Sequence, residues 1–238
     1  MTLLTNLVSY WKLDESSGNA PDSVGSNTLT NNNSAAYAAG KINNGVDLEI
    51  SSNQSLSISD ASQTGLDLLN DRTLSHWVKL ETLPASNSRY HTIFKHDQFQ
   101  FRCIDVDAGG TKTLMLYLRD ATGFYNPNVA WTPSTGVWYH VAVTRVQSTG
   151  VVTFYVNGSV QGSPQSTGRT ADLLNSPDAF EVGGDGGTGN FDGMIDEIGV
   201  WSRALTDAEV TQLYNAGAGL QYPFSSSSNR SSGLMMGI

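Results

Sequence analysis

Cysteine is nearly missing from this chain. Among 238 residues only Cys103 carries a thiol, so no intramolecular disulfide forms and no cysteine-built zinc cage is available. Basic residues are few: 13 Lys plus Arg stand against 22 Asp plus Glu, a net charge of −9. That balance excludes a phosphate-tracking nucleic-acid binder, which needs a basic face. No stretch reaches the roughly 18 apolar residues of a membrane-spanning helix. The opening MTLLTNLVSYWKLD has neither the basic start nor the long apolar run of a secretory leader, and none is expected. Catalytic signatures are sparse too. G-x-S-x-G does not occur, the four histidines (His76, His91, His96, His140) have no Ser or Cys elbow beside them, and no two glutamates stand four apart on a strand pattern.

What is present is β texture. Glycine accounts for 24 residues, and Ser, Thr and Asn clusters separate short apolar stretches of period two, the pattern of an antiparallel sandwich or barrel. Strands are expected at Leu7–Leu13, Gly45–Leu48, Ser55–Ile58, Arg72–Leu80, Tyr90–Phe94, Gln98–Val106, Thr113–Arg119, Trp138–Val146, Val151–Val156, Ala179–Val182 and Met194–Trp201. Asn31–Lys41 reads as a loop. In RTLSHWVKL, Leu74, His76, Val78 and Leu80 share one face, and His76 reads as a core histidine; Cys103 reads as a small buried hydrophobe. Asn157-Gly158 predicts a type I′ hairpin turn.

One helix is legible at 207–216. Thr206 and Glu209 form a capping box and Leu205 and Val210 a hydrophobic staple, while Gly217 is placed to end the helix in a left-handed conformation. Beyond Phe224 the chain turns Ser-rich, which leaves too little apolar surface to order it. Residues 1–224 are therefore expected to form one domain and 225–238 a tail. The tail ends in Leu234, Met235, Met236 and Ile238, either frayed or a sticky end that docks on a neighbouring subunit.

Four segments carry a family resemblance: LVSYWKLDESSGNAPDSVGSN, TLSHWVKL, WYHVAVTRV with VTFYVNGSVQG, and FDGMIDEIGVWSRALTDAEVTQLYNAG. Together they resemble the laminin G-like, concanavalin A-like jelly-roll superfamily over residues 7–217, with 85–130 similar in texture only. The resemblance implies an all-β fold, a two-sheet antiparallel β-sandwich with one short C-terminal helix. It also implies a face that binds glycans or partner proteins, and frequently a structural calcium ion. In similar proteins the Asp of the last strand joins an Asp from an early turn. Here those are Asp196 and Asp22, with Asn27 and the carbonyl of Gly45 as further ligands. The other reading of Asp196 is a carboxylate satisfied by backbone N–H groups. In VGGDGGTGNFDG the residues Asp185, Asn190 and Asp192 miss the spacing of known calcium loops, so a flexible hairpin loop is expected.

Hydrolases of this fold carry E-x-D-x-E on one strand. Here Glu197-Ile198-Gly199-Val200-Trp201 puts Gly and Trp where the second and third acids belong, so a carboxylate pair for glycoside hydrolysis is not expected. Glycan binding needs aromatic platforms and hydroxyl-reading amides or acids. The candidates are Tyr90, His91, Gln98, Tyr117, Phe124, Tyr125, Asn126, Asn128 and Trp131, with Phe124-Tyr125-Asn126-Pro127-Asn128 read as one loop. Two function classes stay open. One is a non-enzymatic, lectin-like module on extracellular or cell-surface glycans or surface proteins. The other is a structural accessory protein of a virus particle or homo-oligomer that uses its tail.

Overall fold

A computed structural model describes residues 2–184 and 189–224. The alternating segments become seventeen short strands. In chain order these are β1 (Leu7–Trp11), β2 (Thr30–Asn32), β3 (Ala36–Ala39), β4 (Asn44–Leu48), β5 (Ser55–Ile58), β6 (Arg72–Leu80), β7 (Ser88–Lys95), β8 (Phe99–Val106) and β9 (Lys112–Asp120). There follow β10 (Gly123–Tyr125), β11 (Asn128–Ala130), β12 (Trp138–Val146), β13 (Val151–Val156), β14 (Ser159–Val160), β15 (Gln165–Ser166), β16 (Phe180–Val182) and β17 (Gly193–Trp201). They form two antiparallel sheets. One runs β14-β13-β12-β6-β17-β4-β3, with β1 beside β17 and β15 beside β13; the other runs β10-β9-β8-β7-β16-β5-β2, with β11 beside β9.

The inner faces bury Trp11, Leu74, Val78, Phe99, Phe101, Phe154, Phe180 and Ile195 against one another. His76 lies fully buried on this face, edge-on to Phe101. It is a core residue as expected, but not the satisfied histidine expected, since neither ring nitrogen is hydrogen-bonded to a described residue. Cys103 is also fully buried, and burial pushes its thiol far up. Three cations are fully buried among the described residues, Lys95, Arg72 and Arg145. Lys95 Nζ lies 2.5 Å from both Asp60 and Asp67. Arg72 and Arg145 donate to the Asn70 carbonyl at 2.8 and 3.0 Å, and Arg145 also to that of Ala171 at 2.7 Å, so each buried charge is hydrogen-bonded.

Two loop expectations give way. Asn31–Lys41 contains β2 and β3, so the chain passes there from the edge of one sheet to the edge of the other. Asn126 and Pro127 are the only link between β10 and β11, which pair with successive parts of β9. β17 also departs from simple alternation. Strict alternation puts Asp196 with Ile198 and Val200. Instead Glu197 takes a left-handed conformation, φ 53°, inside a bulge between Asp196 and Gly199. The extra residue reverses the facing. Ile195, Ile198 and Val200 look into the core, whereas Asp196 pairs with the outward Trp77 and Gly199 with the outward Ser75.

The outer face of the β17 sheet carries a second apolar cluster of Leu3, Ala142, Tyr155, Trp201, Leu205, Val210 and Leu213. It is covered by α1 (Asp207–Tyr214) and by the segment that follows. The capping box of Thr206 and Glu209 forms as expected, and Glu209 also binds Arg203 through two contacts of 2.7 and 2.8 Å. The helix ends earlier than expected. Asn215, φ 49°, supplies the left-handed exit ahead of Gly217; asparagine tolerates that region through its short polar side chain. Asn157 and Gly158 have φ of 50° and 75°, the predicted type I′ signature.

Gly199 is required by contact. A Cβ there would lie 2.4 Å from the Trp201 ring and 3.3 Å from Tyr10. Gly199→Ala is expected to lower stability by about 1–3 kcal/mol, read as the denaturant midpoint. An unchanged midpoint would show that the Trp201 ring is free to move.

Candidate functional site

With α1 lying on one sheet, the outward face of the other carries the exposed chemistry. Its register lines up one outward row across five strands. Ser57 pairs with Glu181, Glu181 with Phe94, Phe94 with Gln100 and Gln100 with Tyr117. The adjacent row runs His91, Arg102, Met115, Asn128.

Where β8, β9 and β10 meet, these rows form an aromatic and guanidinium ladder. Tyr117 and Phe124 have ring centroids 5.1 Å apart. Arg102 lies 4.9 Å over Tyr117 and Arg119 4.7 Å over Phe124, within cation–π range. Arg102 donates to Gln100 Oε1 at 2.8 and 3.1 Å and to Asp105 Oδ2 at 2.8 Å. Arg119 pairs with Asp97 Oδ2 at 2.6 Å. Burial, and next the charge of Arg89, pulls Arg102 below the usual guanidinium range. Beside the ladder lies a cleft of about 220 Å³ lined by Asp97, Arg119, Asn175 and Asp178. Phe124 stands at its edge through Arg119 and is 49% exposed, the one aromatic ring among the large apolar side chains exposed in the described residues.

The glycan candidates separate accordingly. Tyr117 and the missed Arg102, Arg119 and Asp97 come together with Phe124. Asn126 and Asn128 are exposed on the same edge, Asn128 donating to the Asn126 carbonyl at 3.0 Å. Tyr125 points inward, packed on the core beneath Arg169. Tyr90 and Trp131 are core residues, 4% and 6% exposed, and Gln98 is buried, with its side-chain amide on the Asp67 carbonyl. Their rings and amide complete the interior because the inward positions of β7 and its flanks need bulk. The arginines were overlooked because a cation in an acidic chain reads as a solvated charge until the register sets it on a ring.

The expected calcium ligands fall into two pairs with β1 between them. Asp22 accepts N–H bonds from Tyr10, Val24 and Asn27 at 3.0–3.2 Å. Asn27 is buried and spends its amide on Ser9 and on Thr64. Across β1, Asp196 Oδ2 accepts the Lys41 and Ile42 amides at 2.8 and 2.9 Å, and Gly45 packs against its side chain. Asp22 and Asn27 thus have their side-chain oxygens engaged by backbone amides, whereas Asp196 Oδ1 is buried with no hydrogen-bond partner among the described residues. Asp185 and the tail residues Leu234, Met235, Met236 and Ile238 lie outside the described residues. Of the same glycine-rich loop, Asn190 is held by Asn53 and Asp192 by Thr82 and the Ile50 amide.

Glu197 faces no groove. It is 4% exposed and bonded to the Tyr10 hydroxyl and to Gln221. Burial pushes it up to about 7, against the help of those two partners, and pushes Asp196 up to about 9 against its two amides.

A family model described as the concanavalin A-like lectin/glucanases superfamily matches residues 50–211. Domain 4 of AbnA, a GH43 extracellular arabinanase from Geobacillus stearothermophilus solved with arabinotriose, is similar at 25% identity and TM-score 0.64, over 87% of this chain and 97% of that one. The ligand binding domain of botulinum neurotoxin serotype D, solved with N-acetylneuraminic acid, is similar at 15% identity and TM-score 0.66, over 88% of this chain and 50% of that one. A Trypanosoma rangeli sialidase is similar at 16% identity and TM-score 0.61, over 90% of this chain and 33% of that one. This chain therefore spans about half of the toxin domain and a third of the sialidase, and these two likenesses show the fold. No curated protein matches the chain. No helix among the described residues is long and apolar enough to cross a membrane.

The buried acids set a pH dependence. Asp196 and Glu197, raised to about 9 and 7 from 3.8 and 4.5, favour the folded state at low pH and lose that contribution as the pH rises through those raised values. His76 and His140, lowered by burial to about 3 from 6.5, act in the opposite sense, and their contribution is lost as the pH falls below 6.5. The two sets oppose each other between about 4.5 and 6.5, and the carboxyls act alone above that. The melting midpoint is expected to fall from pH 7 to pH 9, and to fall less in Asp196→Asn. At pH 7 Asp196→Ala is expected to cost about 2–4 kcal/mol by orphaning two buried amides, and Asp196→Asn far less, since its amide oxygen still accepts them. Equal losses in the two variants would contradict this account.

Proposed function

Because the chain belongs to the concanavalin A-like lectin/glucanase superfamily, we propose that it is a non-catalytic, lectin-like module that holds a glycan on the outward face of β8, β9 and β10. The observation that carries the reading is Phe124, half exposed and braced by Tyr117, with Arg119 of the Arg119–Asp97 pair lying over its ring. Ligand sites combine apolar and aromatic surface with a few fixed polar groups. A sugar ring presents a C–H face to Phe124 and hydroxyls to the ladder. Asp97 accepts, Arg119 donates, and the exposed amides of Asn126 and Asn128 do both. These groups are held before the ligand arrives, which lowers the ordering cost of binding.

The same arrangement explains the absence of a hydrolytic role in this reading. Glycoside hydrolysis uses two carboxyl groups flanking an open groove. On the outward face Asp105 and Asp97 are paired with guanidinium groups and Asp178 with the Ser176 hydroxyl and His96, while Asp196 and Glu197 are enclosed on the other sheet. The arabinotriose complex of the AbnA domain and the N-acetylneuraminic acid complex of the toxin domain support a saccharide as the ligand class and supply the first probes.

Binding is measured by calorimetry against arabinan oligosaccharides and sialylated and neutral mammalian-type glycans. At least one glycan is expected to bind, and Phe124→Ala to weaken it about tenfold or more with little change in melting midpoint, as for a central aromatic anchor. Undiminished binding by Phe124→Ala would move the site elsewhere, and no binding across the panel would remove the lectin reading. Release of reducing sugar would overturn the non-catalytic assignment.

A further inference from the structure

The far edge of the sandwich holds a second cleft, unrelated to the ladder. It is about 380 Å³ and lies where the chain crosses from β2 to β3, closed on one side by Ser16–Asn19. We propose that this cleft is a separate saccharide-binding site that takes an uncharged sugar residue on Tyr37.

Its walls are fixed by a single residue. Asn31 donates from Nδ2 to the carbonyls of Gly18 and Ala35 at 3.2 and 2.9 Å and accepts the Ala35 amide at 2.8 Å. Its own backbone N–H donates to Asn19 Oδ1 at 3.1 Å. The Tyr37 hydroxyl donates to the Gly18 carbonyl at 3.1 Å; the half-buried ring packs against the core and its remaining surface forms one wall of the cleft. Both sides of the opening are therefore braced against each other with no ligand present, the condition under which binding costs least ordering.

The unspent groups name the ligand. The hydroxyls of Ser16, Ser17 and Ser34 and the Nδ2 of Asn19 make no hydrogen bond to any described residue, and all four side chains are exposed at the cleft. Hydroxyls donate and accept in turn, and an amide nitrogen donates, which is the complement of a sugar's vicinal hydroxyls. Tyr37 and the methyl of Ala36 supply the apolar side for a ring face. No Asp, Glu, Lys or Arg lines the cleft. The nearest charge acting on Tyr37 is the carboxylate of Glu15, and burial followed by that charge pushes the phenol up to about 12. With Glu15 nearby and a chain of net charge −9, a sialic or uronic acid is repelled where a neutral sugar is not.

The test is titration of the ¹⁵N-labelled full chain with arabinotriose, cellotriose and maltotriose, and with sialyllactose as the charged comparison. At least one neutral trisaccharide is expected to shift the amides of residues 16–19 and 34–37 saturably, equally well in Phe124→Ala, while sialyllactose does not. Tyr37→Ala is expected to raise the Kd about tenfold, a loss of about 1.4 kcal/mol. Ala36→Trp, a substitution at an exposed position that fills the cleft without touching the core, is expected to do the same. The proposal is overturned if no neutral trisaccharide shifts these amides, if sialyllactose binds there as tightly, or if Ala36→Trp leaves the Kd unchanged. Loss of the shifts in Phe124→Ala would assign them to the ladder and also overturn it. Because the Phe124 variant leaves this cleft intact, failure here and failure of the ladder are separable.

Discussion

One residue in a left-handed conformation organises this molecule. Glu197 inserts itself into β17 and reverses the facing of everything before it. Without the bulge, Ile195 and Ile198 could not both reach the core from opposite sides of it. With it, Asp196 is turned outward to hold the Lys41 and Ile42 amides at the entry to β4, and Gly199 and Trp201 are turned outward together. Trp201 then forms the floor of a second apolar cluster, which must be covered. The capping box, the Arg203–Glu209 pair and the aromatic contacts of Phe224 with Trp201 and Tyr10 hold the cover in place. The consequence is an asymmetric sandwich, in which α1 and the segment after it cover one sheet's outward face while Phe124, Asn126 and Asn128 stay exposed at the edge of the other's.

The polar groups trapped by that enclosure explain the local acid–base behaviour. Glu197 and Asp196 are adjacent and both buried; burial does most to raise each, and the charge of Glu197 adds to it at Asp196 while that of Asp14 adds to it at Glu197. A carboxylate in such a place is tolerable only with partners, and these are the Tyr10 hydroxyl, Gln221 and two backbone amides. An acid pair on the last strand thus has a structural explanation in the enclosed sheet. The fold family's hydrolase geometry is replaced here by Gly199, whose missing side chain is what lets the Trp201 ring lie down.

Much of the architecture was legible because it rests on local rules. Alternation in RTLSHWVKL and WYHVAVTRV, the Asn157-Gly158 turn and the Thr206–Glu209 box each report a short-range constraint. What escaped depends on register or on facing. Nothing in MIDEIGVW announces a left-handed glutamate, so the faces of Asp196 and Ile198 were assigned together. Phe124 to Asn128 reads as a loop because Pro127 breaks the pattern, although strands lie on both sides of it. Tyr90 and Trp131 carry the composition of a sugar platform and fill the core instead, since an aromatic residue's burial is decided by strand phase. The ladder was half visible, as Tyr117 and Phe124. Its arginines become meaningful only when Gln100 is seen to face Tyr117 across two strands.

The placement of the two clefts follows from the sheet order. The Phe124 ladder lies at the β10 end of one sheet and the Tyr37 cleft beside β2 at its other end, six strand spacings or roughly 29 Å apart at about 4.8 Å per spacing. No single short oligosaccharide spans that distance comfortably. A polymer or a surface dense in glycans does, and then the second contact forms at the effective concentration set by the first. The two sites as read here differ in charge, one framed by guanidinium–carboxylate pairs and the other uncharged. On the proposed reading of both clefts, a surface offering both kinds of sugar is held more firmly than by either contact alone. A rigid sandwich suits this use because the separation is fixed by backbone hydrogen bonds and costs nothing to maintain when the ligand arrives.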